Sequence, residues 1–225
     1  TRGGDVLYTN STLALDAETG EIEWYFQYIP AGNWDQDHPF ERLIVETEVT
    51  PDVEAVSWMN PNIASSERRK VITGIPGKPG IVWTLDAATG DFLWATQTNY
   101  QNIIVGVDVE GRKGITNPEI DITEIGQQKL VCPTTQGGIN WNSVGYSPQT
   151  NSLYTPTNNT CMNFALRPVE PTVGLHHASA RSSVDIGPED TGQVGQFASI
   201  DVATGETRWT YKQRAGIGGS VLTTG

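Results

Sequence analysis

Short strand-like runs, each closed by a turn signal, recur along the chain. Three share one pattern: Ala14-Leu-Asp16-Ala-Glu-Thr19-Gly20-Glu-Ile-Glu-Trp24, Thr84-Leu-Asp86-Ala-Ala-Thr89-Gly90-Asp-Phe-Leu-Trp94 and Ser199-Ile-Asp201-Val-Ala-Thr204-Gly205-Glu-Thr-Arg-Trp209. Each reads as a strand, a D-x-x-T-G turn and a returning strand with Trp four residues after the Gly. Asp caps its own turn and Gly supplies a positive φ, so the pattern predicts one β-hairpin written three times. A fourth, worn copy is Tyr146-Ser-Pro-Gln-Thr-Asn-Ser-Leu-Tyr154, with its turn at 148–151. Between Asp86 and Asp201 the repeat skips 115 positions, against 70 between Asp16 and Asp86, and the worn copy falls inside the longer gap. Four-stranded blades of about 40–45 residues, with insertions, fit this spacing. No amphipathic helix of normal length interrupts the hairpins, so they point to an all-β fold of the β-propeller type. The repeated Trp is expected to be buried between neighbouring blades. Segments 101–128 and 166–193 read as long excursions, the second rich in Pro, Gly, Ser and His.

Composition narrows the function classes. With 26 acidic against 14 basic residues the net charge is −12. That argues against nucleic acid and against anionic membrane surfaces. Residues are 37% hydrophobic, and no run of 18 or more apolar positions exists to span a membrane. No signal peptide is visible at Thr1, and the pattern is still strand-like at its last residues. The expectation is therefore a piece of a longer chain.

The candidate chemistry centres on Asn33-Trp34-Asp35-Gln36-Asp37-His38, which follows the strand-like run 21–27 and a Pro30/Gly32 turn signal. On extended backbone, residues two apart point the same way, so Asp35 and Asp37 are placed to face one site. Two carboxylates together call for a cation or a shared proton. Taken alone, such a pair reads better as a solvated acidic loop; the repeat around it and the lysine downstream shift that reading. His38 reads as a structural or pocket-edge residue, Arg68-Arg69-Lys70 as a solvated basic edge, and His176-His177 as loop surface. Gly74-x-x-Gly77-x-x-Gly80 is no dinucleotide fingerprint, because no helix follows it. Two cysteines, Cys132 and Cys161, are compatible with buried thiols, half a metal site or one disulfide. Metal is the weakest of the three, since there is no CxxC and no nearby His.

The A-x-D-x-x-T-G-x-x-x-W repeat resembles the tryptophan-docking repeat of the PQQ-dependent quinoprotein alcohol dehydrogenases, eight-bladed propellers that bind pyrroloquinoline quinone. Trp34-Asp35-Gln36-Asp37 is similar to the family's W-D-x-D stretch, and Gly77-Lys78-Pro79-Gly80 to its cationic turn before the next blade. Gly137-Gly138-Ile139-Asn140-Trp141 resembles its G-G-x-N-W. Cys132-Pro133 and Cys161-Met162 resemble a cysteine pair of the methanol dehydrogenase branch that forms a disulfide. The resemblance runs the length of the chain and covers about four of the eight blades. Within residues 1–225 there is no counterpart of the Glu and Asn that complete the family's metal shell. Ile217 stands where methanol dehydrogenases have Trp.

The resemblance implies a partial PQQ-binding β-propeller over residues 1–225, which oxidises a small alcohol by hydride transfer to the quinone and passes the electrons to a cytochrome c. Asp35 is the implied general base and a metal ligand. Asp37 is an extra ligand of the kind lanthanide-using members carry, or on its own residues a surface acid or turn cap. Lys78 is the cation facing the quinone oxygens, and Asn140 and Trp141 are cofactor contacts. The implied cofactors are PQQ and Ca2+ or a lanthanide ion. The implied setting is a bacterial periplasm, with Cys132 and Cys161 bridged and the signal peptide outside these residues. Residues 1–225 alone are expected to show no turnover. The rival reading is a non-catalytic propeller scaffold of the outer-membrane assembly lipoprotein kind, which needs neither the paired carboxylates nor the lysine turn.

Overall fold

The computed structural model describes residues 4–63, 66–170, 172–174, 180–185, 187–188 and 191–224. Sixteen strands follow in order: β1 (Ser11–Leu15), β2 (Ile22–Gln27), β3 (Leu43–Val49), β4 (Trp58–Met59), β5 (Glu67–Gly74), β6 (Ile81–Asp86), β7 (Phe92–Gln97), β8 (Ile104–Asp108), β9 (Lys113–Thr116), β10 (Gln128–Val131), β11 (Gly145–Ser147), β12 (Ser152–Asn158), β13 (Cys161–Leu166), β14 (Ala180–Asp185), β15 (Gly195–Asp201) and β16 (Thr207–Gln213). The only helical turn among the described residues is the 3-10 segment Pro118–Ile120. The strands gather into four sheets, ordered β1-β2-β9-β8, β3-β5-β6-β7-β4, β10-β13-β14 and β11-β12-β15-β16. This is the all-β propeller arrangement that the repeats predict.

The three repeated hairpins are β1–β2, β6–β7 and β15–β16. In each, Asp Oδ1 accepts two backbone N–H bonds from its own turn. The donors are Glu18 and Thr19 for Asp16, Ala88 and Thr89 for Asp86, and Ala203 and Thr204 for Asp201. The Gly N–H closes the turn onto the Asp carbonyl at 2.8–2.9 Å in all three. These bonds to the ionised carboxylate hold the Asp16 pKa below its usual value. The registers match as well, pairing Trp24, Trp94 and Trp209 with Ala14, Thr84 and Ser199.

Each buried Trp lies on the turn glycine of the next hairpin. A Cβ at Gly90 would sit 2.4 Å from the Trp24 ring, and one at Gly205 would sit 2.9 Å from the Trp94 ring. Trp24 and Trp94 are accordingly buried at 7% and 0% exposure. Trp209 is 45% exposed, so the expected burial holds for two of the three. The worn copy does form a hairpin, β11–β12. It is the first half of the same sheet that β15–β16 completes, not the equivalent hairpin of another blade.

Two apolar cores separate the sheets. One gathers Trp24, Phe26, Tyr28, Trp34, Trp83 and Phe92, the other Phe40, Val45, Val71, Val82, Trp94 and Leu153. β6 faces both, which is why it reads as an unbroken apolar run. Arg68 and Lys70 are exposed, as a solvated basic edge should be, and half-buried Arg69 is the exception. Arg68 and Lys70 stand in register opposite Glu48 and Glu46 on β3, and Arg69 pairs with Asp86 at 3.2 Å. The excursion 101–128 folds into the β8–β9 hairpin rather than an open loop. His176 and His177 lie outside the described residues.

Candidate active site

The acidic loop between β2 and β3 is anchored by its apolar and amide members, which leaves its carboxylates outside. Trp34 is buried and its indole Nε1–H donates to Ile120 O at 2.9 Å. Gln36 is buried and its Nε2 donates to Pro133 O and Thr134 O at 3.2 and 3.0 Å. His38 is buried, lies parallel to Tyr28 at 5.0 Å between ring centres, and bonds Gln36 O through Nδ1 at 3.0 Å. A carbonyl only accepts, so the imidazole keeps its proton on Nδ1. Burial pushes the His38 pKa down to about 3, so the ring is neutral near pH 7. It is structural, as the sequence suggests. It also presses on the lysine turn, since a Cβ at Gly77 would meet its ring at 2.4 Å.

Asp35 and Asp37 alternate with these anchors and are the half-exposed members, at 54% and 57% of side-chain surface. Asp35 has φ +62°, which turns the chain at the residue that bears the candidate base. The Lys78 ammonium, 9% exposed, lies 3.4 Å from Asp35 Oδ1 and 2.9 Å from Asp37 Oδ2, and donates to Asp35 O at 2.9 Å. Backbone bonds zip the two segments together. Lys78 N–H donates to Asp37 O, and Phe40 N–H donates to Pro76 O. The third segment joins through Gly138 N–H, which donates to Lys78 O at 2.8 Å.

That third segment, 132–142, carries Asn140 and Trp141. Its start is closed by the Cys132–Cys161 disulfide, S–S 2.03 Å. Closing a loop of this length contributes about 3–4 kcal/mol in the chain-entropy account. Asn140 is held by Nδ2 donating to Gln136 O. Trp141 is 76% exposed and meets Phe40 edge-on, with ring centres 5.5 Å apart. Asp35, Asp37, Lys78, Asn140 and Trp141 all line one cavity of about 430 Å³, shared with Phe40.

All five side chains singled out in the sequence therefore converge, although Asp35 and Trp141 are 106 positions apart. Ile217 does not join them. Its N–H and C=O are both clamped by the Asn158 carboxamide, at 2.7 and 2.9 Å, and it does not line the cavity. Sequence reasoning missed Gln36, Phe40 and Asn99. Asn99 is buried and bonds Pro79 O in a space that a Cβ at Gly80 or Gly138 would fill. The paired glycines of the two turns were the signal for Asn99.

Residues 1–60 match the family model described as glucose/ethanol/alcohol dehydrogenase, β-propeller domain. The chain is 27% identical to the putative dehydrogenase XoxF of Paracoccus denitrificans over 99% of its own length and 36% of that protein. It is 34% identical to the 1-butanol dehydrogenase (cytochrome c) of Thauera butanivorans over 70% of its length and 20% of that protein. Among solved structures it superposes on a europium-containing methanol dehydrogenase with TM-score 0.80 and 25% identity, over 96% of this chain and 35% of that one. The chain thus spans about a third of the XoxF protein and of the europium enzyme. Repeat, register and relatives agree: over nearly its whole length the chain is similar to quinoprotein alcohol dehydrogenases, and its first 60 residues match their propeller model.

Proposed function

We propose that this chain carries the reactive face of a PQQ-dependent alcohol dehydrogenase, with Asp35 as the general base. The observation that supports it is the single cavity where two carboxylates, an almost buried ammonium, a carboxamide and an open indole face meet. A scaffold protein has no use for that constellation.

The donor set fits the implied groups. Asp35 and Asp37 offer hard oxygen ligands, the kind Ca2+ and lanthanide ions take, two positions apart and half open to the cavity. Among the described residues no third acidic, His or Cys side chain joins them, so the rest of a metal shell falls to other oxygens. Trp141 presents an exposed ring face to a flat cofactor, and Asn140, tied down through Nδ2, has its Oδ1 left to direct. Bound here, PQQ supplies a two-electron acceptor and the metal ion supplies Lewis acidity. Asp35 accepts the hydroxyl proton of a small alcohol as its carbon gives up hydride. Lys78 presents a fixed positive charge, the electrostatic complement of an acceptor gaining electrons. A cytochrome c, which the name of the Thauera relative includes, is the proposed electron acceptor. The net charge of −12 suits a basic partner. The disulfide is in keeping with a periplasmic setting.

Equilibrium dialysis of PQQ against this chain with lanthanum present tests the reading. One equivalent is expected to bind, and both Trp141→Ala and Lys78→Met are expected to weaken it about tenfold or more. PQQ binding that neither substitution changes would refute this use of the cavity.

A further inference from the structure

The acidic loop presents its two carboxylates to one side and a single amide to the other. Asp35 and Asp37 meet Lys78, whereas Gln36 turns inward, 4% exposed, and donates to two consecutive carbonyls of the 132–142 segment. Its own carbonyl is taken by His38. Residue 36 is thus fixed at both side chain and backbone, while its neighbours are half in solvent and held only from the lysine side. The segment it grips is the one that also holds Lys78 O through Gly138 N–H and carries Asn140 and Trp141.

We propose that Gln36 is the positioning residue of the site, setting the carboxylate pair against Lys78 by tying the acidic loop to the segment that bears the cofactor contacts. This rests on the proposed active site but invokes neither cofactor nor metal in the structure it describes. The physical reason is alternation. Asp35, at φ +62°, turns the chain, and from there buried Gln36 and His38 alternate with the exposed carboxylates, so one buried amide is set between both. A carboxamide suits the place because it donates to Pro133 O and shares Thr134 O with Gly137 N–H, both residues being buried, so its loss leaves Pro133 O short of a donor. The sign of its action is also fixed. Without it, the loop loses its registration to segment 132–142, and the bond from Lys78 N–H to Asp37 O, braced by that registration, opens more readily.

The test compares Gln36→Leu with Val202→Ala, a buried core substitution far from the site in the chain, as a control for lost stability. Two local readouts are followed by NMR: amide hydrogen exchange at Lys78 and Gly138, and the ammonium resonance of Lys78, assigned by its disappearance in Lys78→Met. In Gln36→Leu, exchange at Lys78 and Gly138 is expected to speed up about tenfold or more and the ammonium signal to shift or broaden, with Leu153 and Val71 amides unchanged. Val202→Ala is expected to change global stability without that local signature. Supporting positions around bound groups usually matter by about 10–100-fold, so terbium affinity at the carboxylates is expected to fall in that range as well. Unchanged protection and an unchanged Lys78 signal in Gln36→Leu would overturn the proposal, as would the same changes in Val202→Ala. If Gln36→Leu does not fold, Gln36→Glu takes its place, having the same reach but no donor when ionised. Terbium that fails to bind even the unmodified chain, with the NMR signature present, would sink the metal reading and leave the positioning role standing.

Discussion

Single residues divide into those whose chemistry shows in the sequence and those whose burial does the work. Asp35, Asp37 and Lys78 are legible because a carboxylate pair and a lysine between glycines are uncommon and match a family motif. Gln36 and His38 sit among them and look polar and exposed, yet both are buried. Only the packing of three segments against each other decides that. His38 gives a measurable consequence. Its folded pKa lies below the ordinary value of 6.5, so below that pH the unfolded chain binds the proton and the folded chain does not. Stability is full above pH 6.5 and is lost as pH falls towards 3, by about 2 kcal/mol at pH 5. Urea unfolding at pH 7 and pH 5 should show this loss, and His38→Gln should remove most of it. An equal pH dependence in both proteins would mean that His38 is not the buried neutral group described. Asp37 separates a ligand from a surface acid. In a protein containing this chain, Asp37→Ala should lower activity restored by a lanthanide more than activity restored by calcium, measured as dye reduction across metal titrations. Equal losses would make Asp37 a structural partner of Lys78.

At the scale of elements, the hairpin was readable almost residue by residue, because each position has a local cause. Asp caps the turn, Gly takes φ +73 to +75° and Trp lands on the same register. What the repeat does not announce is which sheet an irregular hairpin joins. Tyr146–Tyr154 lacks the Asp, the Gly and the Trp, and pairing with β15 places it. Likewise 101–128 forms a hairpin whose contact with β2 is one parallel pair, Gln27 with Lys113, a long-range choice no local pattern encodes. The docking of Trp on the next turn can be measured directly. Gly20 and Gly90 share φ +73°, but a Cβ at Gly20 meets nothing within 4 Å while one at Gly90 strikes the Trp24 ring. Gly20→Ala should therefore cost about 1 kcal/mol of backbone strain. Gly90→Ala should cost about 2–4 kcal/mol, since the clash adds to it. Equal thermal shifts for the two would deny that Trp24 docks there.

For the whole molecule, the site is an assembly of three loops that no single sheet contains. The acidic loop follows β2, the lysine turn precedes β6, and segment 132–142 lies between β10 and β11. Sequence alone offered the members, and the family resemblance supplied their grouping. The physical cause of the grouping is the chain of bonds from Gln36 to Pro133 and Thr134, and from Lys78 to Asp37 and Gly138. The disulfide ties the base of the third loop to β13. Each bond spans tens of residues, so it has no local signature to read. The central claim is that Asp35 takes the alcohol proton in this assembled site. It is tested most directly by measuring alcohol-dependent dye reduction and bound PQQ together, for Asp35→Asn and the unmodified residue, in a protein containing this chain supplied with PQQ and lanthanide. An amide cannot accept the proton, so turnover is expected to fall at least about a hundredfold while bound PQQ stays at the unmodified level. Turnover retained by Asp35→Asn at full PQQ occupancy would contradict the assignment.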